Sequence, residues 1–269
     1  MMVRLELLLG FLLGTIPFLV KAQSTPSFEF LSVDRPDVSN LHTTVRPGQF
    51  QFEVGLELGK NDFLKEYTLP NFLLRTGLGK KLELRLGVSH LQLDSTESIS
   101  PDALVVNSVS FKYRVLEEKG IRPSVALQPE VVFGFREGPD AKNPNVDYGL
   151  ILLFNNTLHE KIFINYNAGL FAFREKVKEY LLSISLSFMH THRLGYFLEA
   201  YEISDHIDLN LSVDGGITYL VKPRFQIDVY VGKQDLLSSD RLYFGLGMGL
   251  RLDKGDMRPK TFKDIGIHH

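Results

Sequence analysis

Charged side chains recur at every second position in parts of this chain, and that spacing limits the chemistry they can do. One residue separates Glu83 from Arg85, and one separates Lys112 from Arg114, so in an extended strand each pair points to a single face. Charges of both signs on one face can brace a wall through salt bridges or line a narrow polar passage. The candidate pore-lining residues are Arg75, Glu83, Arg85, Lys112, Arg114, Glu130, Glu199, Asp214, Asp228, Tyr230 and Arg251.

Catalytic groupings are sparse. Ser89 and His90 are adjacent, so in a strand they point to opposite faces and cannot pair as nucleophile and base. His190 and His192 can share a face, but two ligands do not make a metal site. The chain has no cysteine, which excludes thiolate catalysis, disulfides and Cys-ligated metals. The sequence therefore predicts no enzyme, no metal site and no cofactor.

The polar positions belong to segments whose alternate residues are apolar. The clearest begins at Gln49, with a fully apolar parity formed by Phe50, Phe52, Val54, Leu56 and Leu58. Such a period of two predicts a strand with one apolar face. The pattern recurs near 82–88, 105–114, 125–134, 180–188, 225–231 and 242–251, and more weakly at 67–78, 147–158, 162–173, 194–201 and 208–221.

Strand length and the polar parity distinguish two all-β architectures. The segments approach the roughly 9 to 11 residues that a tilted strand needs to cross a bilayer. A soluble β-sandwich also alternates, but its water-facing side would be rich in Lys, Glu and Thr rather than Gly, Ser, Asn and Tyr. We therefore predict an all-β fold, a transmembrane antiparallel up-and-down β-barrel of about 12 strands, over residues 48–252.

The connections support this prediction because they alternate in length. Longer ones are expected around 59–66, 93–102, 136–146, 174–179, 202–207 and 232–240, and tight turns near 79–81, 159–161, 191–193 and 222–224. Long outer loops and short periplasmic turns give outer-membrane barrels this rhythm. The connection at 116–122 is an exception, because it is long for a turn.

The two ends of the chain differ from the barrel region. Residues 1–22 have a charged start, an apolar stretch and a Val20-Lys21-Ala22 cleavage pattern, which predicts a signal peptide; the alternative is a short membrane anchor. Residues 23–47 lack clean alternation and are expected to be a periplasmic leader or a partial plug, acting through Asp34, Arg35 and Asp37. Residues 253–269 form a polar tail, expected in the periplasm.

Composition excludes one class of partner. The formal net charge is −2, the pI is near 6.5, and no Lys/Arg-rich run is present. A nucleic-acid-binding surface needs an excess of positive charge to neutralise phosphates. We therefore expect no nucleic-acid partner, and expect instead outer-membrane lipid, the outer-membrane assembly machinery and a small-molecule solute.

Several short motifs occur in an order that resembles a known family. They are Asp34-Arg35-Pro36-Asp37, Leu74 to Leu78 followed by Leu82 to Val88, Phe111-Lys112-Tyr113, Asp214 to Leu220, Pro223, Gln226, Asp228 and Gly245 to Arg251. The chain resembles the MetA-pathway-of-phenol-degradation family of outer-membrane proteins, in a Bacteroidetes-like version, from Asp34 to Leu252. The resemblance implies a β-barrel transporter of small, often aromatic compounds. The last strand departs from the usual pattern, since it ends in Leu250-Arg251-Leu252 rather than in an aromatic assembly signal.

The leading hypothesis is a channel or transporter in the bacterial outer membrane for passive passage of small molecules, including hydrophobic or aromatic ones. The alternatives are an outer-membrane enzyme acting on lipid and a structural or binding barrel. The sequence leaves open the solute, the oligomeric state and whether the lumen is open or plugged.

Overall fold

Twelve β-strands make up most of the residues that the structure describes. The computed structural model describes residues 31–34, 38–60, 64–95, 102–137, 145–173, 177–204, 211–236 and 241–253. The strands are β1 (Gln49–Lys60), β2 (Leu64–Gly77), β3 (Leu82–Ser95), β4 (Asp102–Leu116), β5 (Ser124–Glu137), β6 (Asn145–His159), β7 (Ile162–Phe173), β8 (Val177–Met189), β9 (Leu194–Ser204), β10 (Ser212–Lys222), β11 (Phe225–Lys233) and β12 (Leu242–Asp253). No helix in the described ranges is long and apolar enough to cross a membrane.

The strands close into a barrel. Each pairs antiparallel with its neighbours in sequence, and β1 pairs with β12 in a register that runs from Gln49 opposite Asp253 to Lys60 opposite Leu242. Closure leaves no unpaired sheet edge, which is the condition for β-structure to span a bilayer. The predicted up-and-down barrel of about 12 strands is confirmed.

The two faces of the wall differ as the alternation predicts. Apolar side chains of the outer parity are solvent-accessible, for example Leu58 at 47% and Leu198 at 65%. The polar parity points inward, where Gln51, Glu53 and Arg75 are at most 1% exposed. An apolar outer surface around a polar interior is the arrangement that lipid requires of a membrane-spanning barrel.

Several of the connections expected to be long are shorter than the sequence predicts. Only 61–63 separates β1 from β2, and only 174–176 separates β7 from β8. The prediction was wrong here because polar residues such as Lys65 and Glu66 continue the strand pairing beyond the apolar alternation. The expected contrast between long connections at one end of the barrel and short ones at the other is therefore weaker. The 117–123 connection is long, as predicted, and contains a turn in which Gly120 has a φ of +62°.

We call the end of the barrel that carries Gln49 and Asp253 the terminal end, and the opposite end the loop end. The connections after β2, β6, β8 and β10 all lie at the terminal end. In bacterial outer-membrane barrels this end faces the periplasm.

Candidate functional site: the lumen

A stretch of chain preceding β1 lies inside the barrel. Residues 31–34 and 38–46, here called the inner segment, bind side chains on β3 and also on β9. These strands are six apart in the ring of twelve, so they face each other across the lumen. A segment that touches both must cross the interior. The described part of 23–47 therefore lies in the lumen; Arg35 and Asp37 lie outside the described residues.

Asp34 anchors the inner segment to the wall. Its Oδ2 lies 2.6 Å from Lys112 Nζ and 3.5 Å from Arg75 Nη1, and it also accepts a hydrogen bond from Arg85 Nη1. Its Oδ1 accepts from the backbone N–H of Leu41. The three cations come from adjacent strands, and the charge-assisted hydrogen bonds from Lys112 and Arg85 are of the strong kind in proteins.

Arg75 lies at the centre of the same cluster. Its guanidinium binds Glu83 through Nε at 2.7 Å and Glu53 through Nη1 at 2.9 Å. It also donates to the backbone carbonyls of Ser32 and Thr43, on two stretches of the inner segment. The planar fork of arginine thus joins β1, β2 and β3 to the segment that they enclose. We call Asp34, Glu53, Arg75, Glu83, Arg85 and Lys112 the Asp34 cluster.

Two ionisable residues of the inner segment have shifted pKa values. Burial alone would raise the pKa of Asp34, but the adjacent Arg75, Lys112 and Arg85 outweigh it and hold that pKa far below its usual value. Burial, together with the nearby positive charges of Lys112 and Arg114, lowers the pKa of His42 to about 4. At neutral pH the docked segment therefore contains an ionised Asp34 and an uncharged His42.

Glu199 holds the other side of the segment. Its carboxylate accepts the backbone N–H of Val38 at 2.5 Å and that of Ser39 at 2.7 Å, and it also accepts the hydroxyl of Ser39. Ser39 Oγ lies 2.8 Å from Ser183 Oγ on β8. The tip of the segment, meaning Val38 and Ser39, is thus bound to β8 and β9, opposite the Asp34 cluster.

An apolar patch on the inner wall also contacts the inner segment. Val38 packs against a cluster formed by Ala126, Ile151, Leu153 and Leu181. On the other side of the lumen, a Cβ at Gly249 would lie 2.6 Å from Val33, so this glycine permits the segment to pass close to β12. Apolar burial therefore adds to the polar contacts that hold the segment.

A cavity of about 330 Å³ lies next to the inner segment, on the side toward the loop end. Asp34, Val38 and Asn40 of the segment contribute to its lining. The barrel wall contributes Arg85, Ser108, Ser110, Gln128, Glu130, Glu57 and Tyr230. The lumen thus contains a mostly polar chamber whose boundary includes the segment itself.

Tyrosines and acids form a second cluster nearer the loop end. Tyr201 and Tyr243 are joined through their hydroxyls at 2.9 Å, and Tyr243 donates to Asp214 at 3.0 Å. Tyr230 donates to Glu57 at 2.8 Å, and Arg241 pairs with Glu66 at 2.9 Å. These contacts link β9, β10, β11, β12, β1 and β2 across the lumen wall.

Glycines on neighbouring strands let these rings lie flat against the wall. A Cβ at Gly245 would overlap the ring of Tyr230, and a Cβ at Gly232 would overlap the ring of Tyr243. The two rings are 6.3 Å apart and meet edge to face. Inward glycines on β11 and β12 thereby accommodate aromatic side chains that would otherwise project further into the lumen.

The predicted pore-lining residues fall into groups. Arg75, Glu83, Arg85 and Lys112 meet in the Asp34 cluster, Glu199 binds the tip of the segment, and Glu130 and Tyr230 line the cavity. Asp214 belongs to the tyrosine cluster, whereas Asp228 is buried on the inward face of β11. Arg251 lies at the inward face of β12 near the terminal end. Arg114 is apart from these groups, because it bonds the backbone of Lys80 in the turn between β2 and β3.

Sequence reasoning missed the apolar inner patch and the bonds that hold the segment tip. A signal for the patch exists, since Leu150, Ile151, Leu152 and Leu153 are apolar on both parities of β6. No signal identifies Ser39, whose partners are 144 and 160 positions away in the chain.

The closed barrel, its apolar exterior and its polar lumen define a member of the outer-membrane β-barrel class. The sequence narrows this further. The chain belongs to the family described as "Putative MetA-pathway of phenol degradation", whose model matches residues 33–252. No curated protein matches the chain in sequence.

Solved structures share the fold at low sequence identity. The KdgM porin in complex with disordered oligogalacturonate aligns with a TM-score of 0.51 and 11% identity, over 74% of this chain and 98% of that one. An outer membrane channel from Pseudomonas putida F1 aligns with a TM-score of 0.50 and 11% identity, over 78% and 98% of the two chains. Both alignments concern the barrel architecture.

Proposed function

We propose that this protein is an outer-membrane channel for passive passage of small molecules, and that passage requires displacement of its inner segment. The observation that carries the proposal is the cavity of about 330 Å³ whose boundary is shared by the barrel wall and by Asp34, Val38 and Asn40. In this proposal a solute enters the chamber from the loop end. Beyond it, the inner segment spans from β3 to β9 and obstructs the route to the terminal end.

The lining of the cavity supports small, partly hydrophobic solutes. It combines the charged groups of Asp34, Glu57, Arg85 and Glu130 with hydroxyl and amide groups and the ring of Tyr230. Its volume is at the lower end of the range for small-molecule sites. The family description refers to phenol degradation, and the P. putida relative in fold is named an outer membrane channel. Both are consistent with small, including aromatic, solutes for this chain.

The contacts made by the buried charges of the Asp34 cluster support a non-catalytic role. The carboxylates and cations of the Asp34 cluster bind one another and the inner segment, which gives each a structural task. In the same proposal, residues 1–22 direct export and are cleaved, and the assembly machinery inserts the barrel through its last strand. The terminal end then faces the periplasm.

Adjacent residues on β4 provide a direct test. Ser108 lines the cavity, whereas Val109 points outward and is 37% exposed. Because the chain has no cysteine, Ser108→Cys and Val109→Cys each introduce a single thiol. We expect a charged methanethiosulfonate reagent to reduce the planar-bilayer current of Ser108→Cys and to leave that of Val109→Cys and the wild type unchanged.

The proposal fails on either of two results. One is the absence of both current and solute flux in the wild type and in Glu199→Gln, a variant with a weakened hold on the segment. The other is equal sensitivity of the two thiol variants to the reagent, which would place the conducting path outside the lumen.

A further inference from the structure

The members of the Asp34 cluster that lie on the barrel wall carry a net positive charge. Arg75, Arg85 and Lys112 carry three positive charges, and Glu53 and Glu83 carry two negative ones. All five side chains are buried, with Arg85 the most accessible at 5%. The wall is therefore one carboxylate short of neutrality at this place, and Asp34 of the inner segment supplies it.

The cations of the wall surround a single point, where the wall lacks a negative charge. Nitrogen atoms of Arg75, Arg85 and Lys112 converge on Oδ2 of Asp34 from three adjacent strands. Arg75 is otherwise bound by Glu53 and Glu83, and Arg85 reaches Glu83 only at 3.3 Å, so the uncompensated charge lies mainly on Lys112 and Arg85. Two hydrogen-bond donors, from Arg85 and Lys112, and the nearby guanidinium of Arg75 at 3.5 Å together form a preorganised carboxylate-binding site in the barrel wall.

We propose that Asp34 occupies a binding site for the carboxylate of a solute, and that a carboxylate-bearing solute takes its place when the inner segment is displaced. This inference rests on the channel function proposed above and names the class of solute. An isolated buried charge is very unfavourable, so withdrawal of Asp34 without a replacement leaves the wall destabilised. A solute carboxylate removes that cost, which couples its binding to displacement of the segment.

The cavity provides access to this site. Asp34 and Arg85 both contribute to its lining, so the carboxylate of a small acid in the chamber can reach Arg85, and it reaches the two cations behind it when Asp34 withdraws. The rest of such a molecule then lies among Ser108, Ser110 and Tyr230. The solutes that fit this arrangement are small monocarboxylates, aliphatic or aromatic.

The test replaces the carboxylate that the inner segment normally supplies. In Asp34→Ala the site is vacant, and we expect acetate and benzoate to raise the urea midpoint of unfolding of the full-length protein in a saturable way. Acetamide, benzamide and chloride at matched ionic strength should give little or no shift. The wild type should not respond to acetate, because Asp34 already fills the site. Inorganic phosphate is included to show whether the site distinguishes carboxylates from other anions.

A second substitution provides the matched control. Asp34→Ala/Lys112→Gln leaves two cations and two carboxylates in the wall, so this variant needs no added anion and should show no response to acetate. Equal responses of the single and double variants, or a single variant that responds no better to acetate than to chloride, overturn the inference. A phosphate response equal to that of acetate overturns its assignment to carboxylates.

A third measurement covers the case in which Asp34→Ala does not fold. In a Thr44→Cys protein that retains Asp34, benzoate should increase the rate at which an impermeant maleimide labels the inner segment at least severalfold, and benzamide should not. An unchanged rate overturns the inference. A channel that passes the Ser108→Cys test but shows no carboxylate effect disproves this inference alone, whereas a carboxylate response without conductance disproves only the channel.

Discussion

The carboxylate of Asp34 lies 2.6 Å from the ammonium group of Lys112, a residue 78 positions later in the chain. The contact joins a stretch that precedes the barrel to the inward face of β4. Since both side chains are at most 1% exposed, neither can lose its partner without leaving a charge in a poorly hydrated place. The position of the inner segment is thus fixed by electrostatics as well as by packing.

Arg75 should be the most sensitive position for stability. Arg75→Met removes the cation shared by Glu53, Glu83 and Asp34, and we expect it to lower the free energy of unfolding by about 3 to 5 kcal/mol. Urea titration in lipid vesicles measures this. The control is Arg224→Gln, which removes an ion pair to Asp253 whose side chains are 46% and 33% exposed, with an expected loss of at most about 1 kcal/mol. Comparable losses for both variants would contradict the central role of Arg75.

Glu199 should control how readily the tip of the segment dissociates from the barrel wall. Glu199→Gln keeps one acceptor oxygen but loses the charge that strengthens the bonds from Val38 and Ser39. A loss of about 1 to 2 kcal/mol shifts the docking equilibrium roughly tenfold, which single-channel recording should show as longer or more frequent openings.

The matched control for that variant is Glu130→Gln. Glu130 lines the cavity with the same charge, but no hydrogen bond joins it to the described residues of the inner segment. If Glu130→Gln increased opening as much as Glu199→Gln, the effect would reflect the charge of the lumen rather than release of the segment.

Acid should favour release of the segment through His42. Its pKa is about 4 when docked and near 6.5 when exposed to water, so the released form binds a proton more readily below pH 6.5. Each unit of pH between about 6.5 and 4 therefore favours release by up to about tenfold. Asp34 stays ionised in that window, because its docked pKa is far below the usual value of 3.8 and its contribution is lost only under stronger acid.

Channel recording between pH 7 and pH 4.5 tests this expectation. The groups that act on His42 are Lys112 and Arg114, which disfavour its protonation, and Asp34, which favours it. His42→Gln should remove the increase in opening between pH 6.5 and pH 4.5. An undiminished increase in that variant would assign the pH dependence to another group.

The close packing of glycine against tyrosine predicts an effect at the loop end. Gly245→Ala places a methyl group where the ring of Tyr230 lies, which should displace the ring and break its hydrogen bond to Glu57. Overpacking of this kind costs about 1 to 3 kcal/mol, measurable as a lower urea midpoint. Removal of the ring should relieve it, so Gly245→Ala should cost less in a Tyr230→Ala background than in the wild type. Equal costs in the two backgrounds would show that the ring does not rest on Gly245.

Much of the fold follows from local pattern. Alternation such as Phe50, Phe52 and Val54 against Gln51 and Glu53 determines both the strand and the face that it buries, because the side-chain period of a strand is two. The same parity places every candidate charge inside the barrel once closure is assumed. The limits of the strands were less predictable, since polar residues outside the lipid zone continue the pairing.

The lumen site could be predicted only in part. The sequence predicts Asp34 as a candidate plug residue and Arg75, Glu83, Arg85 and Lys112 as inward charges, but nothing local indicates that they meet. The three cations that Asp34 contacts are 41 to 78 positions away, and such contacts arise only when the barrel closes around the segment. Ser39 and Val38 bind Glu199 through backbone N–H groups, which all residues except proline possess, so sequence alone cannot select them.

A reversible cross-link tests most directly whether the inner segment must move for solutes to pass. Ser39 Oγ and Ser183 Oγ are 2.8 Å apart, and in this cysteine-free chain Ser39→Cys/Ser183→Cys permits a single intramolecular disulfide between segment and wall. Bilayer current is recorded from the oxidised double variant and again after reduction, with each single variant as the control for the reagents. We expect oxidation to abolish the current and reduction to restore it, while the single variants conduct throughout. A fully cross-linked protein that conducts as well as its reduced form would contradict the account.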